Sequence, residues 1–525
     1  MTKPSLLDKL EQLNTIGVAL SREENIDHLL ERILHSAMDL THCDAGTVYL
    51  VNEARALEFR ILANRSMGIE LGGSRGGDID LPEIPIFDAD GAPNDRMVSA
   101  YAAARQTTIN IEDAARVDGF DFSGTRDFNR RTGYLSRSFL TVPLIDHHRE
   151  TIGVLQLINA LDPDTGAIRA FTAEHQRLAE SLASQAAIAY TKRRLIEQLA
   201  ELFESLVALI NTAIDEKSPY TSKHCERVPV LTMMIAEAVH RVDSGPLADF
   251  RMSDPDRYEL RIAGLMHDCG KITTPVHVMD KATKLQGLFD RVELLDSRFE
   301  LLRRDAAIDR LEALLANPGD RETIEADYRA RRARLDDDQA FVRRCNVGGE
   351  TMSQADQERV GHIAGYRWRD GRGAEQPFLS ADEEACLRIA RGTLTDQERE
   401  VINHHIVSTI HMLEALPWPR HLSRVTEFAA GHHERMDGKG YPLGLTGAEM
   451  SVQARIMAIA DVFEALTAAD RPYKPPKPLS ECLAIMARMA REGHIDPDIY
   501  RVFVDERIPQ AYAREFLQPE QIDLA

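Results

Sequence analysis

Between residues 167 and 218 the chain contains neither proline nor glycine. Proline removes a backbone donor and clashes with the preceding helical turn, and glycine adds entropic cost, so their joint absence lets a helix run on. Within this stretch Ile188, Lys192, Leu195, Leu199, Leu202, Leu206, Leu209 and Ala213 follow alternating spacings of four and three, with only Lys192 polar. The pattern predicts a long helix over 186–215, paired as a parallel coiled coil or docked along one seam of its own chain. A stiff dimeric helix between two domains is a good way to pass a signal. At 525 residues the chain is too long for one core, and its length suggests about three domains.

Before this helix, helical and strand patterns alternate. A short N-terminal helix is expected over 1–22. In IDHLLERILHSAMDLT (26–41), Ile26, Leu29, Leu30, Ile33, Ala37 and Leu40 form one helical stripe, with Ser21 and Glu24 as its expected capping box. GTVYLV (46–51), EFRILA (58–63), FLTVPLID (139–146) and TIGVLQLIN (151–159) read as strands, the last two joined by a polar turn at His147 and His148. Another helix begins after Phe171. The expectation is an α+β sensor-like domain over 23–185.

After residue 216 the strand pattern disappears and helical periodicity dominates. Residues 287–345 predict a charged helical hairpin turning at Asn317-Pro318-Gly319, and the Gly-rich 346–380 read as loops.

Composition excludes several classes. The net charge is -21, which argues against binding a nucleic-acid polymer, since that needs a broad basic face. Six cysteines lie far apart without a CxxC pair, as expected of reduced thiols. The best apolar run, VLQLINAL (154–161), is far too short to span a bilayer, and MTKPSLLDKLEQ lacks a signal-peptide core. A soluble, cytoplasmic protein is expected.

Chemistry-bearing residues gather in the second half. YTSKHCERV (220–228) supplies His224, and AGLMHDCGKITTP (263–275) places His267 and Asp268 near the C-terminal end of a helix closing at Gly270, with Lys271 on the same side. EREVINHHIVSTIHML (398–413) supplies His404 and His405, GHHERMDGKGYP (431–442) supplies His432 and His433, and Asp461 interrupts an apolar helix in MAIADVFEAL. An unpaired buried carboxylate is costly, so Asp461 asks for a partner. An imidazole offers one lone pair to a metal, whereas a carboxylate can bridge two ions. Gly438-Lys439 is not a phosphate-binding P-loop, because Gly440 stands where Ser or Thr is required.

HDCGK resembles the signature of the metal-dependent HD phosphohydrolases, and HHERMDGKGYP resembles the extended motif of the HD-GYP subfamily. The resemblance covers about 216–287 and 393–510, within an HD-GYP domain over 216–515 interrupted by an insertion at 288–392. It implies an all-α fold with a largely helical insertion, and a phosphodiesterase acting on cyclic di-GMP. Carried over position by position, the metal ligands are His224, His267, Asp268, His405, His432, His433 and Asp461, with Asp268 bridging. His404 precedes the matching histidine and is not taken as a ligand. Lys271 matches the lysine that contacts the phosphate. Arg471 and Lys474 match cationic positions that hold substrate phosphates. Gly440, Tyr441 and Pro442 would shape a loop beside the nucleotide, and that loop could also meet partner proteins.

A phosphodiester is anionic and repels hydroxide, so two adjoining cations suit its hydrolysis. The donor mixture suits Fe, Mn or Zn better than Mg, and Fe or Mn fits the family. Tyr220 stands where three-metal members carry an acidic ligand, which favours two divalent ions and leaves open whether pGpG is cut on to GMP. Two alternatives stay open: an HD phosphohydrolase of another cyclic dinucleotide, and a non-catalytic cyclic di-GMP receptor.

The first half resembles a GAF domain, through SRSFLTVPLIDHHRETIGVLQLINA and AFTAEHQRLAESLASQ. Of the motif found in cyclic-nucleotide-binding members, Asn159 and Phe171 match, Ala160 replaces the lysine, and Glu174-His175 stands for the acidic pair. The motif is degraded and leaves the GAF ligand unknown.

Overall fold

The computed structural model describes residues 6–74, 76–218, 224–349, 351–469 and 476–524. They form two compact units, 1–203 and 204–525.

The first unit opens with α1 (Leu6–Ser21) and α2 (Ile26–Thr41), then β1 (Cys43–Val51), β2 (Ala56–Asn64), β3 (Ile69–Gly72), β4 (Ile84–Pro85), α3 (Val98–Arg105), β5 (Ile109–Ile111), α4 (Ser123–Thr132), β6 (Phe139–Ile145), β7 (Thr151–Leu161) and β8 (Ile168–Arg169), and ends within α5 (Ala173–Lys217). The cap of α2 differs from expectation. Asn25, not Ser21, accepts the His28 N–H, because α1 continues to Ser21 and leaves only a short extended link in which a cap can sit.

The antiparallel sheet runs β3-β2-β1-β7-β6-β5, with β4 on β2 and β8 on β7. Alternation along β1 sorts its two faces. Val48 and Leu50 join Leu29, Leu30 and Ile33 of α2 and Leu178 and Leu182 of α5 in one core. On the other face Thr47 and Tyr49 border a cavity of about 390 Å³, walled by Phe59, Phe122, Phe128 and Tyr134. Thr47 and Thr141 lie opposite Gln156 on its two neighbouring strands. Gln156 donates to Thr141 Oγ1 (3.1 Å) and accepts from Tyr49 Oη (3.2 Å), so an uncharged polar ladder forms the floor.

Asn159 does not line this cavity. Its Oδ1 accepts from the Arg137 N–H (2.8 Å) and its Nδ2 donates to Leu135 O (2.6 Å), holding the segment after α4 in place. Phe171 is buried in the helix-facing core. Both residues of the degraded motif therefore serve the frame.

α5 buries Leu178, Ala179, Leu182, Ala183, Ala186 and Ala187. Beyond them its four-three seam is open, with Ile188, Leu195, Leu199, Leu202, Leu206 and Leu209 each at least half exposed.

The second unit is helical: α6 (His224–His240), α7 (Asp254–Met266), a 3-10 turn over Cys269–Thr273, and α8 (Val276–Met279). The segment expected as an insertion follows as α9 (Val292–Ala316), α10 (Arg321–Asn346), α11 (Gln354–Ala364), the hairpin β9 (Arg367–Arg369) and β10 (Glu375–Pro377), and α12 (Ala381–Leu387). The α9–α10 hairpin turns at Asn317–Asp320, as expected. The 346–380 segment corrects the loop expectation: Ser353 caps α11, whose Val360 and Ile363 pack with Phe299, Phe341 and Phe378 in a separate core. Long-range burial thus overrides the local glycine signal. At the base, Thr393 Oγ1 donates to Lys281 O at 3.0 Å, and the Lys284 ammonium donates to Leu387 O (3.1 Å) and Ile389 O (2.7 Å).

The chain then returns to α13 (Asp396–Glu414), α14 (Val425–Ala430), a 3-10 turn over Gly431–His433, α15 (Val452–Thr467), α16 (Leu479–Arg491), α17 (Pro497–Asp505) and α18 (Ile508–Phe516). No helix among the described residues is long and apolar enough to cross a membrane.

Candidate metal centre

Five helical elements deliver the candidate ligands to one buried point. α7 ends at Met266 rather than at Gly270 as expected, with His267 as its C-cap and Asp268 opening the next turn. That turn packs tightly on α13. Gly270 N–H donates to Thr409 Oγ1 (2.9 Å), and a Cβ at Gly270 would stand 2.0 Å from His405 O, so only glycine fits. His405 comes from α13, His432 and His433 from the turn after α14, His224 from the first position of α6, and Asp461 from α15.

They form two donor sets sharing Asp268. One is His224, His267, Asp268 and Asp461; the other is Asp268, His405, His432 and His433; within each, the donor atoms lie within 4.8 Å of one another. His224 Nε2 stands 3.2 Å from Asp268 Oδ2 and 3.2 Å from Asp461 Oδ1. His267 Nε2 is 3.2 Å from Asp268 Oδ2, and His405 Nε2 is 3.2 Å from Asp268 Oδ1. The Lys271 ammonium lies 2.5 Å from Asp268 Oδ2. His404 is exposed.

The ring orientations identify the atoms offered to an ion. Nδ1 of His267 meets Gly264 O (2.7 Å), that of His405 meets Ile402 O (2.6 Å), and that of His432 meets Ala429 O (2.6 Å). A carbonyl only accepts, so each Nδ1 carries the proton and each Nε2 lone pair faces the centre.

The residues fit divalent ions on polar bookkeeping alone. Nε2 of His433 and His405 approach to 3.1 Å, and those of His224 and His267 to 3.3 Å. Lone pairs converge there with few protons to share. Asp268 Oδ1 and His432 Nε2 are buried and accept or donate no hydrogen bond, a costly arrangement without a cation.

The electrostatics agree. Burial favours a raised Asp268 pKa, but Lys271 and His267 outweigh it and hold the carboxyl well below its usual range. Asp461 is likewise lowered against its burial by the hydrogen bond and charge of His224. Burial pulls His432 down to about 4, and burial with the His432 charge lowers His433. Against its burial, His224 moves upward, because its bonds to Asp268, Asp461 and Glu464 overcome the desolvation. Two ionised carboxylates beside His432 and His433, both favoured in the neutral form, offer lone pairs to divalent cations.

The GYP loop walls one side. Tyr441 stacks on His433, with ring centroids 4.8 Å apart and planes 23° apart. Glu434, buried, accepts the N–H groups of Leu443 (2.7 Å) and Leu445 (2.9 Å), which folds the segment carrying Pro442 back on itself. A Cβ on Gly440 would lie 2.4 Å from Glu434 Cα, so the loop closes this tightly only with glycine. Arg471, Lys474 and Tyr220 lie outside the described residues.

Sequence reasoning did not single out Glu464, Arg227 or Glu434. Glu464 had a signal: like Asp461, it is a carboxylate on an otherwise apolar helix.

The family model for the GAF domain matches residues 25–190, and HD domain models match 221–339 and 380–499, running into the expected insertion from both ends and leaving 340–379 between them. A 3'3'-cGAMP-specific phosphodiesterase 1 of Vibrio cholerae is 41% identical over 113 residues, covering 22% of this chain and 25% of that protein. A 3'3'-cGAMP-specific phosphodiesterase 3 from the same organism is 25% identical over 57% of this chain and 37% of its own length. A cyclic di-GMP phosphodiesterase of Thermotoga maritima is 31% identical over 30% of this chain and 46% of its own length. The chain therefore spans less than half the length of each of these relatives. The HD matches converge on one histidine–aspartate centre beside the Gly440-Tyr441-Pro442 loop, and the chain carries a GAF domain ahead of this HD-domain region.

Proposed function

We propose that the protein is a metal-dependent phosphodiesterase that opens cyclic di-GMP to pGpG under control of its GAF domain. The observation that carries this reading is the pair of donor sets sharing Asp268, with the Lys271 ammonium at its edge. Two ions, Fe or Mn, would be held by His224, His267 and Asp461 on one side, by His405, His432 and His433 on the other, and by Asp268 between them. When bound they supply Lewis acidity and neutralise phosphodiester charge.

The chain's own residues supply the rest. Lys271 adds a positive charge where negative charge develops on the phosphate. Tyr441, fixed against His433, offers an aromatic face to a base, and Gly440 and Pro442 shape the rim. Arg471 and Lys474 are the cations proposed to hold the other phosphate. For regulation, the GAF cavity would receive a small ligand with an apolar or aromatic body, over a floor of neutral polar groups and with Asp121 and Arg131 in the lining. The ammonium at the end of α5 bears on the catalytic turn: Lys217 Nζ donates to Ile272 O. The open seam over 188–209 would pair with a second copy, making a homodimer.

A second reading, cleavage of 3'3'-cGAMP, is favoured by the names of two of the relatives above. The test is a product assay on anaerobically prepared protein loaded with Fe or Mn, given each cyclic dinucleotide separately. Faster conversion of cyclic di-GMP to pGpG supports the first reading, and faster cleavage of cGAMP supports the second. Tight binding without cleavage of either makes the protein a receptor. For the dimer, Leu199→Arg should shift the sedimenting species from dimer to monomer; an unchanged species would exclude this seam.

A further inference from the structure

The histidines of the centre are not held alike. His267, His405 and His432 each direct Nδ1 to a neutral carbonyl three residues back on their own element. His224 is the first described residue of α6. Its Nδ1 instead meets a carboxylate, Glu464. Glu464 lies three residues after Asp461 on α15, so one helix face supplies both a candidate ligand and the support of its neighbour.

Glu464 is itself anchored. It is 1% exposed, and its other oxygen pairs with Arg227 Nη2 at 2.7 Å. Arg227 stands three residues after His224 on α6, so two ligand-bearing helices are tied by a closed His224–Glu464–Arg227 unit. A buried carboxylate survives only when paired, and Arg227 provides the pairing. A carboxylate acceptor behind an imidazole fixes the ring and makes its far nitrogen a stronger donor than a carbonyl does.

The two donor sets therefore differ beyond their ligands. The His224 set holds Asp268 and Asp461 and has Glu464 behind it; the His405 set holds Asp268 and three imidazoles. We propose that Glu464, backed by Arg227, is a positioning residue that gives the His224 side of the centre a tighter hold on its ion than the His405 side. This rests on the two-ion reading above.

The experiment titrates the metal-free full chain with Mn²⁺ and follows free ion by electron paramagnetic resonance, with metal-free melting temperatures alongside. The wild type should take up two ions in two affinity classes. Glu464→Gln should weaken the tighter class by about 10–100-fold and leave the other in place. Equal weakening of both classes, or of neither, overturns the inference. So does a variant that melts earlier yet keeps both classes separate and unshifted, since that is a purely structural role. If Glu464→Gln does not fold, the double variant Glu464→Gln/Arg227→Gln, which removes both buried charges, is titrated in the same way, and the same shifts support or overturn the inference. A wild type that takes up one ion sinks the two-ion reading itself, a result separable from any behaviour of the variant.

Discussion

The GAF cavity and the HD centre are opposite kinds of hollow. The first has aromatic walls and a floor whose polar atoms are already paired with one another: Thr141 and Tyr49 both bond Gln156. The second crowds seven titratable side chains together and leaves Asp268 Oδ1 and His432 Nε2 without hydrogen bonds. A satisfied surface says little about its occupant beyond size and apolarity, whereas unsatisfied lone pairs specify a cation. The site with the larger electrostatic deficit is therefore the one whose chemistry can be read.

That contrast can be broken by experiment. The largest effect is expected from Asp268→Asn, which removes the carboxylate common to both donor sets. Ion content should fall below one per chain and turnover by about a thousandfold. Full ion content in this variant would mean that Asp268 does not join the two sets. Lys271→Ala should cost about 100-fold in kcat while ion content stays at the wild-type level, because the proposed role of the ammonium is toward the phosphate and it is not among the candidate ligands. Loss of ions there would make Lys271 a structural partner of Asp268 instead. The smallest effect belongs to the GAF side. Gln156→Leu leaves Tyr49 Oη and Thr141 Oγ1 without their partner and should cost about 1–2 kcal/mol of that unit's stability, read as an earlier melting step with ion content unchanged. Altered ion content would show that the two hollows are not independent.

The candidate ligands are legible because their chemistry travels in compact motifs. HDCGK and GHHERMDGKGYP each put two donors on one turn, and Asp461 stood out as a carboxylate in an apolar helix. Glu464 escaped because it carries the same oddity one turn on and was shielded by its neighbour's stronger claim. Its meaning depends on Arg227, which lies 237 residues earlier in the chain and joins it only by tertiary packing. The strands of the GAF unit were legible from alternation, and the long helix from its lack of breakers. The 346–380 segment was not: Gly371 and Gly373 mark the hairpin turn, but Gly361 lies inside α11, which forms because Val360 and Ile363 reach a core built by residues far away in sequence. The cap of α2 was misassigned because α1 runs to Ser21, a boundary that local pattern does not mark.

One detail at the base of the insertion has a wider meaning. The outgoing and returning chain meet at Lys281 and Thr393, hydrogen-bonded at 3.0 Å, and Lys281 also grips Glu398 on α13. A segment that leaves and re-enters a scaffold at one spot can be gained or lost in a single genetic step without redrawing the scaffold around it. About a hundred residues thus form a side excursion with a core of its own, and a short bridge from Lys281 to Thr393 would bypass it while leaving both ends of the scaffold in place.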